Sequence, residues 1–259
     1  VGWTNYTILM FLNDFCVYVP SILLIPLLLR SLPQQPPAPV NPLSGQEKFL
    51  AVVFSLGSGY LFSYVTLALI HVLEGFVGQS SGNAVSAMES ALPPVTAILT
   101  FVVVAPIAEE FIFRRLLLDR VRIFGDGAAI LIGGAAFGLF HGNLNQTLYA
   151  FVLGAVFSAI VLLTNRLRYT IGIHMLINGI SVLTSLVESD LLDYLLACVI
   201  LFSICFSVVL FFVRRKHYTL EPGPLPFSRA EKAHACFTSP WVWVLLVGGL
   251  LFSGVSIFL

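Results

Sequence analysis

Residues 94–118 read PVTAILTFVVVAPIAEEFIFRRLLL, and this segment is the most informative about the fold. No charged side chain occurs before Glu109, so the segment begins as an apolar run of the kind that crosses a bilayer in about 20 residues. Closer to its end, the segment contains two adjacent acids and two adjacent arginines. We interpret the segment as a transmembrane helix that contains polar groups.

The composition of the whole chain agrees with this interpretation. Of the 259 residues, 58% are hydrophobic and only 10% are charged, whereas roughly 25% are charged in an ordinary soluble domain. The 13 Lys and Arg residues balance 13 Asp and Glu residues, so no basic excess exists to neutralise phosphates, and a nucleic-acid partner is not expected. We expect a single polytopic domain, residues 1–259, in the cell membrane, with the lipid bilayer as its surroundings.

Seven further apolar stretches occur on either side of residues 94–118. Together they predict an all-α integral membrane protein, a bundle of about eight transmembrane helices. The stretches are Thr7–Leu29, Phe49–Leu73, Pro94–Leu118, Gly127–Gly142, Thr147–Thr164, Tyr169–Val187, Leu191–Val213 and Trp241–Leu259.

The cationic residues predict the orientation, because Lys and Arg accumulate in cytoplasmic loops. All 13 of them fall at the first, third, fifth and seventh connections, for example Arg30 and Lys48 at the first and Arg166 and Arg168 at the fifth. The third connection is assigned Arg114, Arg115, Arg120 and Arg122, and the seventh Arg214, Arg215, Lys216, Arg229 and Lys232. The other connections contain no cation, and among them the second and sixth contain the acids Glu74, Glu89, Glu188 and Asp190. We therefore predict that both termini lie on the outer side.

Glu109 and Glu110 are the clearest ionisable residues within an apolar span. Each ionisable group in a span costs about 2.5–3.5 kcal/mol on insertion scales. We therefore expect these two acids to have a structural or functional role that offsets this cost. Glu110 and Arg114 are separated by four residues and share a helical face, which predicts an ion pair that leaves Glu109 free for chemistry. Taken alone, the motif is equally compatible with a span that ends in water.

Two histidines on the following spans strengthen the prediction of a site. Glu109 lies sixteen residues before Gly125 and His141 sixteen residues after it, so the two residues share a level if Gly125 is the turn of a helix hairpin. His174 and Asn178 lie one helical turn apart on the sixth span. Because the bilayer penalises each polar group separately, their recurrence on three spans predicts one buried site.

These side chains are suited to hydrolysing an amide. A carboxylate with an imidazole can deprotonate a water molecule, while imidazole N–H and Asn amide groups can stabilise an oxyanion. The nearest serine motif, Gly78-Gln79-Ser80-Ser81, lies in an outer loop without a partnering histidine, so direct attack by water is the simpler mechanism. No cofactor is expected. If a divalent metal such as zinc is bound, its ligands are expected to be Glu109, His141 and His174, although the HExxH spacing is absent.

Three strings in this chain resemble the motifs of a known family of intramembrane proteases. EExxxR stands at Glu109–Arg114, FxxxH at Phe137–His141 and HxxxN at His174–Asn178, in the family's order. This is the CPBP group of CAAX proteases and bacteriocin-processing enzymes, also called the Abi family. The resemblance covers about Ala105–Gly179, within a predicted catalytic core at about residues 94–187.

The resemblance implies an intramembrane endopeptidase whose site opens toward the cytoplasmic side. Carried over to this chain, Glu109 is the general base and His141 positions the water. His174 and Asn178 form the oxyanion hole, Arg114 orients the acids, and Glu110 is a supporting carboxylate. The implied substrate is a membrane-associated peptide or lipidated protein. Cleavage of prenylated tails is not inherited, because nothing in the sequence identifies a prenyl-binding groove.

Two other functions use the same polar residues. A proton-coupled transporter would relay protons through these acids and histidines, although no internal repeat of the transporter type is present. A non-proteolytic membrane partner would hold a peptide in the cavity without cutting it. Outside the site, Asp14, His71 and Asp193 are interpreted as interfacial residues that reach for water.

Overall fold

A computed structural model describes residues 3–33, 40–77, 92–214, 219–225 and 227–255. All regular structure in these ranges is helical, which confirms the predicted all-α membrane bundle. The loop with the serine motif at residues 78–81 lies outside the described residues, as do Arg215 and Lys216. In chain order the helices are α1 (Trp3–Leu28), α2 (Gly45–Val77), α3 (Pro94–Phe124), α4 (Asp126–Phe140), α5 (Leu144–Thr164), α6 (Leu167–Leu186), α7 (Asp190–Arg214), α8 (Arg229–Thr238) and α9 (Pro240–Val255).

The number of long spans differs from the eight apolar stretches. In the described ranges, six helices are long and apolar enough to cross a membrane, namely α1, α2, α3, α5, α6 and α7. The fourth stretch forms the shorter α4, which has 15 residues, and the eighth forms α9, which has 16. The pair α8 and α9 is bent by 62° and becomes a seventh span if it is counted as one.

The first and third predicted spans run in the same direction, as alternating crossings require. Thr7 on α1 contacts Thr96 on α3, and Tyr18 on α1 contacts Glu109 on α3. The sequence separation is therefore 89 residues at one pair and 91 at the other. A nearly constant offset means that α1 and α3 lie parallel.

Small residues bring α4 and α5 into close contact. A Cβ atom on Gly134 would lie 2.8 Å from the carbonyl oxygen of Phe151, and one on Gly138 would lie 2.6 Å from that of Thr147. Glycines spaced by four residues therefore allow the close backbone approach that is typical of helices in lipid. Around this hairpin, α5 packs on α2, and α2 packs on α7.

The turn before α4 is as the sequence predicts. Gly125 has φ of 95°, a conformation that residues with a Cβ atom rarely adopt. Its position ends α3 and begins α4, so α3 and α4 form the expected hairpin. α6 packs on the middle of α3, and α1 packs on the other side of the two acids. These four helices position the candidate site.

Candidate active site

A cavity of about 520 Å³ lies inside the bundle, and the four predicted catalytic residues all line it. They are contributed by α3 (Glu109), the end of α4 (His141) and α6 (His174 and Asn178). Residues of α1 and α2 also line the cavity, so its wall extends beyond the predicted core at about residues 94–187. Three polar residues that follow His141, namely Asn143, Asn145 and Gln146, also line the cavity.

Glu109 and Glu110 are adjacent in sequence but have different surroundings. Oε1 of Glu109 accepts a 2.9 Å hydrogen bond from the hydroxyl of Tyr18, and the Glu109 side chain lines the cavity. Glu110 is fully buried, and its Oε2 atom accepts a 3.2 Å hydrogen bond from Nε of Arg114. The predicted ion pair is thus confirmed, and Glu109 is the carboxylate that faces the cavity.

Arg114 is buried in the protein, which corrects its assignment to a cytoplasmic connection. Its side chain is 0% exposed, and besides Glu110 it donates a 3.2 Å hydrogen bond to Oγ of Ser158. The guanidinium carbon lies 5.2 Å from the ring centre of Phe137 and 5.9 Å from that of Phe157. A planar cation suits this site because it can stack on aromatic rings while it pairs with a carboxylate. The sequence rule failed here because an ion pair removes the reason for a cation to remain in water.

His174 lies between the two carboxylates. Its Nδ1 atom is 3.5 Å from Oε1 of Glu110, and its Nε2 atom is 3.8 Å from Oε2 of Glu109. The rings of Phe137 and Phe157 pack against the imidazole, each at 5.7 Å between ring centres. A neutral imidazole can donate to one of these carboxylates, whereas only the imidazolium can donate toward both.

His141 has a defined tautomer when it is neutral. Its Nδ1 atom is 2.8 Å from the backbone oxygen of Phe137, which can only accept a hydrogen bond. The proton must therefore be on Nδ1, and Nε2 carries a lone pair. Neutral His141 is thus equipped to accept a proton from water and not to donate to an oxyanion.

Asn178 satisfies a backbone carbonyl that α3 leaves without a helical partner. The segment Ile98–Val104 of α3 is a π-helix, and the N–H of Ala105 bonds to the oxygen of Thr100. Pro106 has no N–H, so neither residue donates to the oxygen of Phe101. Nδ2 of Asn178 donates to this oxygen at 2.9 Å.

Three residues of the site were not found in the sequence analysis. Tyr18 holds Glu109, Ser158 holds Arg114, and Asp14 is buried and lines the cavity. The interpretation of Asp14 as an interfacial residue is wrong, because only 8% of its surface is exposed. The one signal in the sequence is that Asp14 and Tyr18 are four residues apart and so share a face of α1.

The described residues contain no group of three or more His, Cys, Asp and Glu side chains arranged to hold a metal ion. Glu109, His141 and His174, the ligands expected if zinc binds, line one cavity without forming such a group. His141 offers a free lone pair on Nε2, but His174 is directed at the two carboxylates. The observed arrangement does not fit a three-ligand zinc site.

Comparisons with known proteins agree with the family recognised from the motifs. Residues 91–180 match the family model described as Type II CAAX prenyl endopeptidase Rce1-like, and this segment contains all three motifs. The curated protein "Putative membrane peptidase YdiL" of Bacillus subtilis (strain 168) is 23% identical over 178 residues, which are 65% of this chain and 69% of that protein. No solved structure matches the chain significantly. At the level of the family, these similarities support a membrane protease.

Proposed function

We propose that this protein is an intramembrane endopeptidase that hydrolyses a peptide bond of a membrane-associated peptide or lipidated protein by attack of an activated water. The observation that carries the proposal is the convergence of Glu109, His141, His174 and Asn178 on one cavity inside a helical bundle. Each of these groups is costly in a membrane, and together they supply a base, a water site and hydrogen-bond donors. The similarity to membrane peptidases supports the same reaction class.

Glu109 is the general base in this proposal. It takes a proton from the water while the water oxygen attacks the carbonyl carbon of the scissile bond. Nε2 of His141 accepts a hydrogen bond from the other O–H of the water. This hydrogen bond orients a lone pair of the water oxygen toward the carbonyl carbon. When the tetrahedral intermediate collapses, the C–N bond breaks and the protonated Glu109 returns its proton to the leaving amine.

His174 and Asn178 stabilise the oxyanion. Nε2 of His174 lies 3.8 Å from Glu109, which is too far for a hydrogen bond, so an Nε2–H remains available to the substrate. Asn178 donates one of its two amide N–H groups to the backbone oxygen of Phe101, and the other N–H group is available to the substrate. An oxyanion-hole donor typically contributes a factor of about 10²–10³ to kcat.

Glu110 and Arg114 position these groups and do not touch the substrate. Arg114 holds Glu110 as an anion, and Glu110 in turn faces Nδ1 of His174. A carboxylate that faces Nδ1 fixes the orientation of the ring, so that Nε2 is directed toward Glu109 and the cavity. The pair is therefore a positioning device for His174.

The proposal places the enzyme in the cell membrane with the site opening toward the cytoplasm. Six long apolar helices support a multi-pass membrane protein. The cytoplasmic opening is inferred from the basic connections, which the positive-inside rule assigns to the cytoplasm.

The test is cleavage of membrane-anchored peptides and lipopeptides by the purified protein in lipid nanodiscs, followed by mass spectrometry. We expect Glu109→Gln to lower kcat by about 10²–10⁴-fold, as the loss of a general base does, while peptide binding is retained. His141→Ala should also lose activity. The matched controls are Glu188→Gln and His71→Ala, because both residues are exposed and neither lines the cavity.

A strong chelator is added in a parallel series. Unchanged cleavage supports the glutamate and water mechanism, whereas cleavage that is lost and then restored by zinc would reassign Glu109, His141 and His174 as ligands. A wild-type protein that binds the peptides but cuts none of them contradicts the proposal. Proton flux in liposomes would then separate a transporter from a non-proteolytic partner.

A further inference from the structure

Asp14 is a buried carboxylate in the cavity that the proposed mechanism does not use. Only 8% of its surface is exposed, and it lines the same cavity as Glu109. The Oδ2 atom of Asp14 is buried and has no hydrogen-bond partner among the described residues.

No cationic side chain of the described residues lines the cavity to balance Asp14. The ionisable groups that line it, apart from tyrosines, are Asp14, Glu109, His141 and His174. Arg114 is already engaged by Glu110 and Ser158, behind the cavity wall. With neutral histidines, the cavity is therefore acidic.

A buried carboxylate without a counter-ion is unfavourable, and a cation that enters the cavity would remove this cost. We propose that Asp14 is a specificity-determining residue that binds a Lys or Arg side chain of the substrate. This inference rests on the proposed endopeptidase function, and it defines the substrate class as peptides with a basic residue near the scissile bond. Asp14 pairs with the cation by a charge-assisted hydrogen bond, while Glu109 remains free to act on water.

For a peptide that runs along α1 through the cavity, the helix geometry sets the distance between this basic residue and the scissile bond. Tyr18 marks the level of Glu109 on α1, because the two side chains are hydrogen-bonded. Asp14 precedes Tyr18 by one helical turn, which is about 6 Å along the axis. An extended peptide advances about 3.4 Å per residue, so the cation is expected about two residues from the scissile bond. The substrate cation is expected on the side of the scissile bond that faces away from the basic connections.

The probes for the test are apolar membrane-anchored peptides in which one Lys is moved through each position around the centre. Each has a partner with norleucine, which keeps most of the length and removes the charge. Affinity is measured by fluorescence anisotropy with full-length Glu109→Gln protein in nanodiscs, which cannot cut the probe. We expect one Lys position to bind about tenfold or more tightly than its norleucine partner.

Adding Asp14→Asn should abolish this preference, and Asp14→Glu should retain it in part. Asp193→Asn is the matched control, because Asp193 is exposed and does not line the cavity. The comparison of Lys with norleucine in protein that retains Asp14 does not depend on the folding of any Asp14 variant. An equal affinity for the two probes at every position, or a preference that survives Asp14→Asn, overturns the inference.

The same probes with wild-type protein separate this inference from the proposed function. Binding that depends on Asp14 without any cleavage supports the cation site and contradicts the endopeptidase. Cleavage at equal kcat/KM for Lys and norleucine probes supports the endopeptidase and contradicts the cation site.

Discussion

At the level of single residues, the two adjacent acids differ in the side chain to which each is hydrogen-bonded. Glu110 is held by Arg114 in a fully buried ion pair, whereas Glu109 is held by the Tyr18 hydroxyl and lines the cavity. A buried ion pair loses about 3–5 kcal/mol when one partner is removed, because the other charge is left uncompensated. Glu110 therefore cannot easily give up its partner, whereas Glu109 is the acid that can contact water in the cavity.

Tyr18→Phe tests whether this hydroxyl fixes the catalytic orientation of Glu109. Hydrogen bonds to charged groups contribute about 1.5–3 kcal/mol, so we expect kcat to fall by about 10- to 100-fold with little change in KM. The measurement is steady-state cleavage of the best peptide by purified protein. Tyr6→Phe on the same helix is the control, since Tyr6 is 41% exposed. A rise in KM with unchanged kcat would instead indicate that Tyr18 contacts the substrate.

At the level of elements, α3 departs from a regular α-helix on both sides of the two acids. Ile98–Val104 and Phe111–Leu117 are π-helical, and Ala105–Glu110 between them is α-helical. π-Helical turns are rare and are found frequently at functional sites. Here the first one, together with Pro106, frees the oxygen of Phe101 for Asn178.

Asn178→Ala should therefore lower stability as well as activity. The half-buried carbonyl of Phe101 would lose its donor, and an unsatisfied carbonyl costs up to about 1–3 kcal/mol, so the midpoint of thermal unfolding should fall. Adding Pro106→Ala should recover part of this loss, because the new N–H can complete the helix hydrogen bonds around Phe101. If Asn178 also stabilises the oxyanion, the double variant regains stability but not kcat.

The control for this pair is Pro26→Ala in the Asn178→Ala background. Pro26 lies inside α1, remote in sequence from Phe101, so its replacement adds an N–H that does not reach this carbonyl. Equal recovery of stability with Pro26→Ala would contradict the explanation.

At the level of the whole molecule, the four connections assigned cations meet at one end of the bundle. Arg120 donates to the oxygen of Leu32 at 2.7 Å, and Arg115 donates to Asn165 at 3.0 Å. Lys232 donates to the oxygen of Phe124 at 2.6 Å. The first, third, fifth and seventh connections are therefore tied together, as a bundle with alternating crossings requires.

This arrangement predicts which loops are accessible from outside the cell. In a background where the four exposed cysteines Cys16, Cys198, Cys205 and Cys236 are replaced by alanine, two single-cysteine variants are compared. Glu188→Cys should react with a membrane-impermeant maleimide in intact cells, because it lies at an acidic connection. Val40→Cys, at the first basic connection, should react only after permeabilisation. The opposite result would reverse the orientation and the side from which the site opens.

The helical membrane fold, the Gly125 turn and the ion pair between Glu110 and Arg114 could all be predicted from the amino-acid sequence. These features depend on hydrophobicity, on backbone conformation and on the spacing of one helix turn, all of which are local. The motif residues of the cavity were also found from the sequence, because each is an unusual polar group in an apolar span.

The features that depend on contacts between distant segments became visible only in the folded chain. Tyr18 and Glu109 are 91 residues apart, and Arg114 and Ser158 are 44 residues apart, so no local pattern links them. The burial of Asp14 and Arg114 likewise depends on which helices surround them. Sequence patterns give the cost of a polar group in the membrane, but the packing of neighbouring helices decides how that cost is met.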